Sequence, residues 1–180
     1  MAILTLDGEA ELKPVEWTLV GAPQTSGGSR WLAVKRFDLI DNGCFHVATA
    51  SGVLDANFRM SSLDYSDLIQ CARELYQSPA NDQLMYRRAV FNQLIRNHDD
   101  HAKNHTFLQN DEGRWGLSPA YDLTVSPHPY NEHLTGFHGH SERSPVEILD
   151  KLGERASYAP PAKSRAVIRD IIEVVSKFER

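Results

Sequence analysis

Two stretches in the first quarter of the chain, VEWTLV (15–20) and RWLAVKRF (30–37), concentrate Val, Leu and aromatic residues, and the segment between them, GAPQTSGGS (21–29), is rich in Gly, Ser and Pro. This pattern predicts two strands joined as a hairpin with a long tip. CFHVA (44–48), after the turn residues DNG, is expected to extend the same sheet. From residue 62 the period changes. SLDYSDLIQCARELY places Leu68, Cys71, Ala72 and Leu75 on one face, with Ser62 or Asp64 available as N-cap, and predicts a helix ending near Pro79. NDQLMYRRAVFNQLIRN (81–97) repeats the pattern through Leu84, Val90 or Phe91, Leu94 and Ile95 and reads as a more deeply buried helix. It delivers the chain to a dense polar cluster at His98, Asp99, Asp100, His101 and Lys103.

Beyond the cluster, HTFLQ (105–109) and RWGLS (114–118) flank the turn residues NDEG, which predicts a short β-hairpin. A hairpin brings its ends together, so residues just before His105 should meet residues just after Ser118. The stretch 127–144 is rich in Pro, His and Gly without a period and reads as a surface loop, with His128, His133, His138 and His140 expected at the surface. Two helices are expected to close the chain. One spans 144–154, and the other spans 162–180 with Val167, Ile168, Ile171, Ile172, Val175 and Phe178 on one stripe.

At 180 residues, 41% hydrophobic and 24% charged, the chain can bury one good core and has the composition of an ordinary globular domain. A net charge of −5 argues against direct nucleic-acid binding, which needs a basic footprint to neutralise phosphates. Cys44 and Cys71 form neither a CxxC nor a disulfide framework, which points to a reducing compartment. No apolar run approaches the roughly 20 residues of a spanning helix. A soluble, cytoplasmic protein without membrane contact is expected.

The chemistry lies in spacing. Asp99 and Asn104 are five residues apart on a turn, and the predicted hairpin returns Asp122 beside Asn104. Phosphoryl transfer needs a carboxylate to accept the proton of the attacking hydroxyl, here Asp99, and oxygen ligands for Mg²⁺, here Asn104 and Asp122. D-x-x-x-x-N is also the spacing of the catalytic loop in protein kinases, whose metal-binding Asp follows across a short strand pair.

The blocks NHDDHAKNHTFL, LSPAYDL, LAVKRFD and SGVLDANFRMSSLDYSDL resemble the C-terminal region of the HipA family of serine/threonine kinase toxins, from about Pro14 to the C-terminus. The resemblance implies an α+β, mostly helical kinase-like C-lobe, nearer to lipid kinases than to ordinary protein kinases, with a small antiparallel N-terminal sheet and a catalytic-loop β-hairpin. It implies Asp99 as the catalytic aspartate, His101 and Lys103 as loop residues supporting phosphate or the base, and Asn104 and Asp122 as Mg²⁺ ligands. It further implies that VKRFD is the hinge, where the backbone of Val34, Lys35 and Phe37 would meet the adenine of ATP. Partners implied are a protein substrate, in the family commonly an aminoacyl-tRNA synthetase, and an antitoxin protein. The family usually has Thr before the catalytic Asp, where this chain has His98.

A larger departure lies upstream. GAPQTSGGS matches neither Gly-rich phosphate-loop pattern, and neither Lys13 nor Lys35 aligns with the family's phosphate-gripping lysine. Residues 1–38 therefore read as a remnant of an N-lobe with its hinge strand, and 39–180 as the kinase C-lobe, truncated or completed by a separate N-lobe. Two alternatives stay open. One is a catalytically silent interaction protein. The other is a metal-dependent phosphohydrolase, suggested by the His98-Asp99 dyad and by the spacing of His98, His101 and His105, which could share a helix face. Against it, such a site also needs an upstream histidine on a helix, and the only one available is His46, in a strand-like segment.

Overall fold

The computed structural model describes residues 3–57, 63–76, 78–142 and 144–177. Its first element, α1 (Ile3–Glu9), is one the hydrophobic pattern did not announce. Leu6 and Ala10 stand a turn apart and both are fully buried, so packing rather than propensity holds this short helix. The predicted hairpin follows as β1 (Trp17–Gly21) and β2 (Arg30–Val34), antiparallel from Trp17 opposite Val34 to Gly21 opposite Arg30. A ribbon of β3 (Leu39–Ile40) and β4 (Gly43–Cys44) comes next, then β5 (His46–Thr49) and the single turn α2 (Ala50–Val53). The remaining elements are β6 (Leu63–Asp64), α3 (Tyr65–Tyr76), α4 (Pro79–Ile95), β7 (Thr106–Gln109), β8 (Trp115–Leu117), β9 (Thr135–Gly136), α5 (Val146–Arg155) and α6 (Pro161–Ser176).

The expectation that CFHVA extends the first hairpin is corrected. Strand β5 pairs instead with β7, giving a separate antiparallel sheet in the order β5-β7-β8. The physical reason is burial: β1 and β2 stand exposed, whereas β5 leads into the buried Ala50 and sits over the core at Phe107. The β7–β8 hairpin forms in the expected place, with Phe107 opposite Leu117 and Gln109 opposite Trp115.

Helix α4 is the centre of the core. It buries Leu84, Tyr86, Val90 and Phe91, and also the polar Asp82, Arg88, Asn92 and Gln93, because other elements surround it on nearly every side. Helix α3 packs beside it, with Asp64 as the N-cap whose Oδ1 accepts from Ser66 N at 2.7 Å. The other proposed cap, Ser62, lies outside the described residues, as does Phe178. Helices α5 and α6 close the other flank, joined where Asp150 accepts from Ser164 Oγ at 2.8 Å and Arg165 Nε at 2.7 Å.

The reading of 127–144 as a surface loop is corrected in its middle. Strand β9 pairs in parallel with β6, and His133, Thr135 and Phe137 are buried. The segment is pulled inward by polar anchoring rather than by an apolar run: Asp64 receives His138 N at 3.0 Å and Gly139 N at 2.7 Å.

Candidate active site

Helix α4 ends because Arg96 adopts the left-handed conformation (φ 59°), its N–H capping Asn92 O. The chain then enters the loop 97–105 with no helical geometry, so His98, His101 and His105 do not share a helix face. They have separate tasks. His98 Nδ1 accepts from His128 N at 2.8 Å, and His105 Nε2 meets Asp100 O at 3.3 Å. Among the described residues no group of three or more His, Cys, Asp or Glu could hold a metal ion, which removes the geometric basis of the phosphohydrolase reading.

The two adjacent aspartates face opposite ways. Asp99 is exposed, and Asp100 is buried. The Asp100 carboxylate accepts from Tyr65 Oη at 3.1 Å and from Thr135 N at 3.1 Å, and pairs with His133 Nδ1 at 3.1 Å. Its carbonyl also accepts from Thr135 Oγ1. Asp100 thus pins the loop to the core from below and leaves Asp99 pointing out above. The backbone is held from the side as well, where Ala50 N and Ser51 N donate to His105 O and Ala102 O at 2.7 and 3.1 Å. His98, directly before Asp99, is held below its ordinary pKa by burial and then by neighbouring His133, so it stays neutral near pH 7.

The hairpin closes the site. Ser118 N donates to Thr106 O at 2.9 Å at its open end, and the next residues fold back over the loop. Tyr121 Oη donates to Lys103 O at 2.6 Å and also meets Thr106 Oγ1. Asp122 follows in the left-handed region (φ 56°), a conformation costly for a residue with a side chain and found at constrained functional positions. Asn104 and Asp122 line one small cleft, together with Asn97, Asp100 and Tyr121. Asn104 Nδ2 donates to Asp99 O at 3.0 Å, tying the outermost aspartate to the same loop. His101 is half-buried, and the Lys103 side chain is exposed at the loop surface.

Of the residues expected at a hinge, Phe37 reaches this neighbourhood: its ring packs on Tyr121 with centroids 5.6 Å apart. It is half-buried rather than a core residue. Val34 is exposed on β2, and Lys35 Nζ is engaged by Glu16 at 2.9 Å. Asp38 pairs with Arg36, as its sequence neighbour allows. The sequence singles out neither Tyr121, which joins Phe37, loop and hairpin, nor Asp100, whose role depends on partners 33 to 35 residues away. The tyrosine beside Asp122 was the one available signal.

The family model described as the HipA-like C-terminal domain matches residues 1–178. The chain belongs to this family. It is 36% identical over 127 residues to the Sinorhizobium fredii protein named "Putative kinase Y4dM", an overlap of 68% of this chain and 31% of that one. Its fold matches that of a chain in the Shewanella oneidensis MR-1 toxin-antitoxin complex of HipA, HipB and operator DNA, with a TM-score of 0.74 and 17% identity over 96% of this chain and 47% of that one. The HipA-like chain thus spans about a third to a half of the length of these relatives. Among the described residues no helix is long and apolar enough to cross a membrane.

Proposed function

We propose that this HipA-like domain is the catalytic lobe of a serine/threonine protein kinase that transfers a phosphoryl group from ATP to a protein hydroxyl. The observation that carries the reading is the placement of an exposed Asp99 on a loop whose Asn104 shares a cleft with Asp122 across the hairpin. Asp99 would accept the proton of the attacking hydroxyl as the new O–P bond forms and the bond to the leaving ADP oxygen breaks. Phe37, packed on Tyr121, would lie at the adenine side, with the backbone of Val34 and Lys35 leading to it. His101 and Lys103, on the same loop, would support phosphate or the base.

The donor set fits Mg²⁺. Asn104 and Asp122 offer oxygen atoms, and a site with one carboxylate and one amide suits an ion that completes its octahedron with waters and substrate phosphates. When bound, the ion would neutralise phosphate charge. An antitoxin protein is the proposed partner, by analogy with the assembly of the Shewanella HipA, and an aminoacyl-tRNA synthetase is a proposed substrate. The proposed compartment is the cytoplasm.

A second reading, a silent interaction lobe or one half of a split kinase, is favoured by one observation. The faces of β1–β2 expose Leu19, Val20, Trp31, Leu32 and Val34, and the nearby Lys35 is paired with Glu16 rather than turned to the cleft. Radiolabel transfer from ATP, compared between the wild type and Asp99→Asn, separates the readings. A positioned base supplies roughly 10² to 10⁴ in rate, so Asp99→Asn should lose about that factor. Because this chain holds no phosphate-loop pattern, its own Mg-ATP affinity by calorimetry should be weaker than micromolar, with transfer restored by a separate N-lobe. Transfer indifferent to Asp99 would refute the kinase reading.

A further inference from the structure

A line of hydrogen bonds runs from the buried loop anchor to the cleft, and its polarity is set at the buried end. The Asp100 carboxylate accepts, so the Tyr65 hydroxyl donates to it at 3.1 Å. Burial and the adjacent Asp100 charge hold the Tyr65 phenol well above its ordinary pKa, so it keeps the proton it donates. With that proton committed, the Tyr65 oxygen can only accept, which it does from Asn92 Nδ2 at 2.7 Å. The Asn92 amide is thereby oriented, and its Oδ1 accepts from Asn97 Nδ2 at 3.1 Å. Asn97 Nδ2 also faces the carbonyl of Asp122 at 3.5 Å.

Both acceptors near Nδ2 forbid a flip of the Asn97 amide, which would set oxygen against oxygen. Asn97 Oδ1 must therefore be the remaining end of the line. Among the described residues that oxygen has no partner, although Asn97 is 1% exposed. An acceptor so deeply buried is costly to leave unpaired, unless something outside the polypeptide satisfies it. Asn97 lines the cleft shared by Asn104 and Asp122, which Arg88 and Asp100 also line.

We propose that Asn97 is a further residue of the metal site, accepting through Oδ1 a hydrogen bond from a water carried by the divalent cation at Asn104 and Asp122. The inference rests on the kinase reading of those two residues. It assigns the Asp100–Tyr65–Asn92–Asn97 line a task besides fixing the loop: it presents an acceptor, never a donor, to the cation's hydration shell. Asn97 is a positioning residue in this account, since it touches the water and not the substrate.

The test uses the full chain and Mn²⁺ alone, with free Mn²⁺ followed by its electron paramagnetic resonance signal. Asn97→Ala should weaken Mn²⁺ binding about 10-fold, the scale of outer-shell substitutions at metal sites. Asn97→Asp keeps the acceptor but sets its other oxygen against Asn92 Oδ1 and Asp122 O, so its melt should fall while its Mn²⁺ affinity, aided by the added charge, stays at or above that of the wild type. A merely structural asparagine would make both variants equally defective. Tyr65→Phe, which breaks the line at its middle, should also weaken binding. Circular dichroism melts report folding, and where Asn97→Ala loses its transition, Asn97→Asp and Tyr65→Phe carry the test. Wild-type affinity in Asn97→Ala, or loss in Asn97→Asp, overturns the inference while Asp122→Asn still abolishes binding. If Asp122→Asn binds like the wild type, the metal-site reading itself fails and the inference falls with it.

Discussion

Asp99 and Asp100 share a side-chain chemistry and a peptide bond, yet one is exposed and the other is held by Tyr65, His133 and Thr135 in the core. Environment likewise separates two other titratable residues. Burial raises the Asp7 carboxyl from its ordinary value near 3.8 to about 7, against the hydrogen bond from Gly8 N at 2.9 Å. Burial lowers the His105 imidazole from about 6.5 to about 4. The signs oppose. Between about pH 4 and 6.5 the native state holds the Asp7 proton that the unfolded chain has lost, so stability falls as pH rises. Over the same window the unfolded chain holds the His105 proton that the native state lacks, so stability rises with pH. The two slopes offset in the wild type. Asp7→Asn removes the falling slope, so its stability from urea unfolding should rise with pH more steeply than that of the wild type, by roughly 1.4 kcal/mol per pH unit across that window. A profile parallel to that of the wild type would contradict this account.

Between elements, closeness of approach decides what a residue can be. Gly153 lies on α5 against α6, and a Cβ there would come 2.5 Å from the Ser164 Cβ. Ser164 cannot move aside freely, because its hydroxyl holds Asp150. Gly153→Ala gains about 1 kcal/mol of helix propensity. It should still destabilise by about 1–3 kcal/mol net, read from the midpoint of chemical denaturation, because overpacking costs more than propensity returns. A stabilised variant would mean that the two helices can slide apart. At this scale the sequence was informative about the elements themselves. The apolar periods of α3, α4, α5 and α6 and the turn residues of the β7–β8 hairpin were legible, since local patterning produces them. The pairing of β5 was not, because strand partners are chosen by what they bury.

Across the whole molecule, stability is distributed unevenly. Helix α4 and β7 are surrounded by buried side chains such as Tyr86, Phe91 and Phe107, whereas the β1–β2 ribbon exposes large apolar residues along both strands. A two-stranded ribbon with few buried contacts is marginal by itself. Native-state hydrogen exchange should therefore show the amides of Thr18–Val20 and Leu32–Val34 exchanging by local opening, while those of Met85–Phe91 exchange only with global unfolding. Equal protection of the two regions would mean that the ribbon is buried in solution, as in an assembly that covers it.

Residue types, spacings and periodicity alone determined the helices after residue 62, the hairpin that returns Asp122, and the resemblance that joined Asp99, Asn104 and Asp122 in one hypothesis. Each is a local property, or depends on one tight turn whose residues lie side by side in the chain. Tertiary structure alone decided which aspartate is buried, that His133 and Phe137 turn inward from a segment without a period, and that Tyr121 joins Phe37 to the loop. It also decided that Asn97 ends a line of oriented hydrogen bonds on an unpaired oxygen. These outcomes depend on partners tens of residues apart, where burial fixes the direction in which each polar group must donate or accept, and no local pattern records that direction.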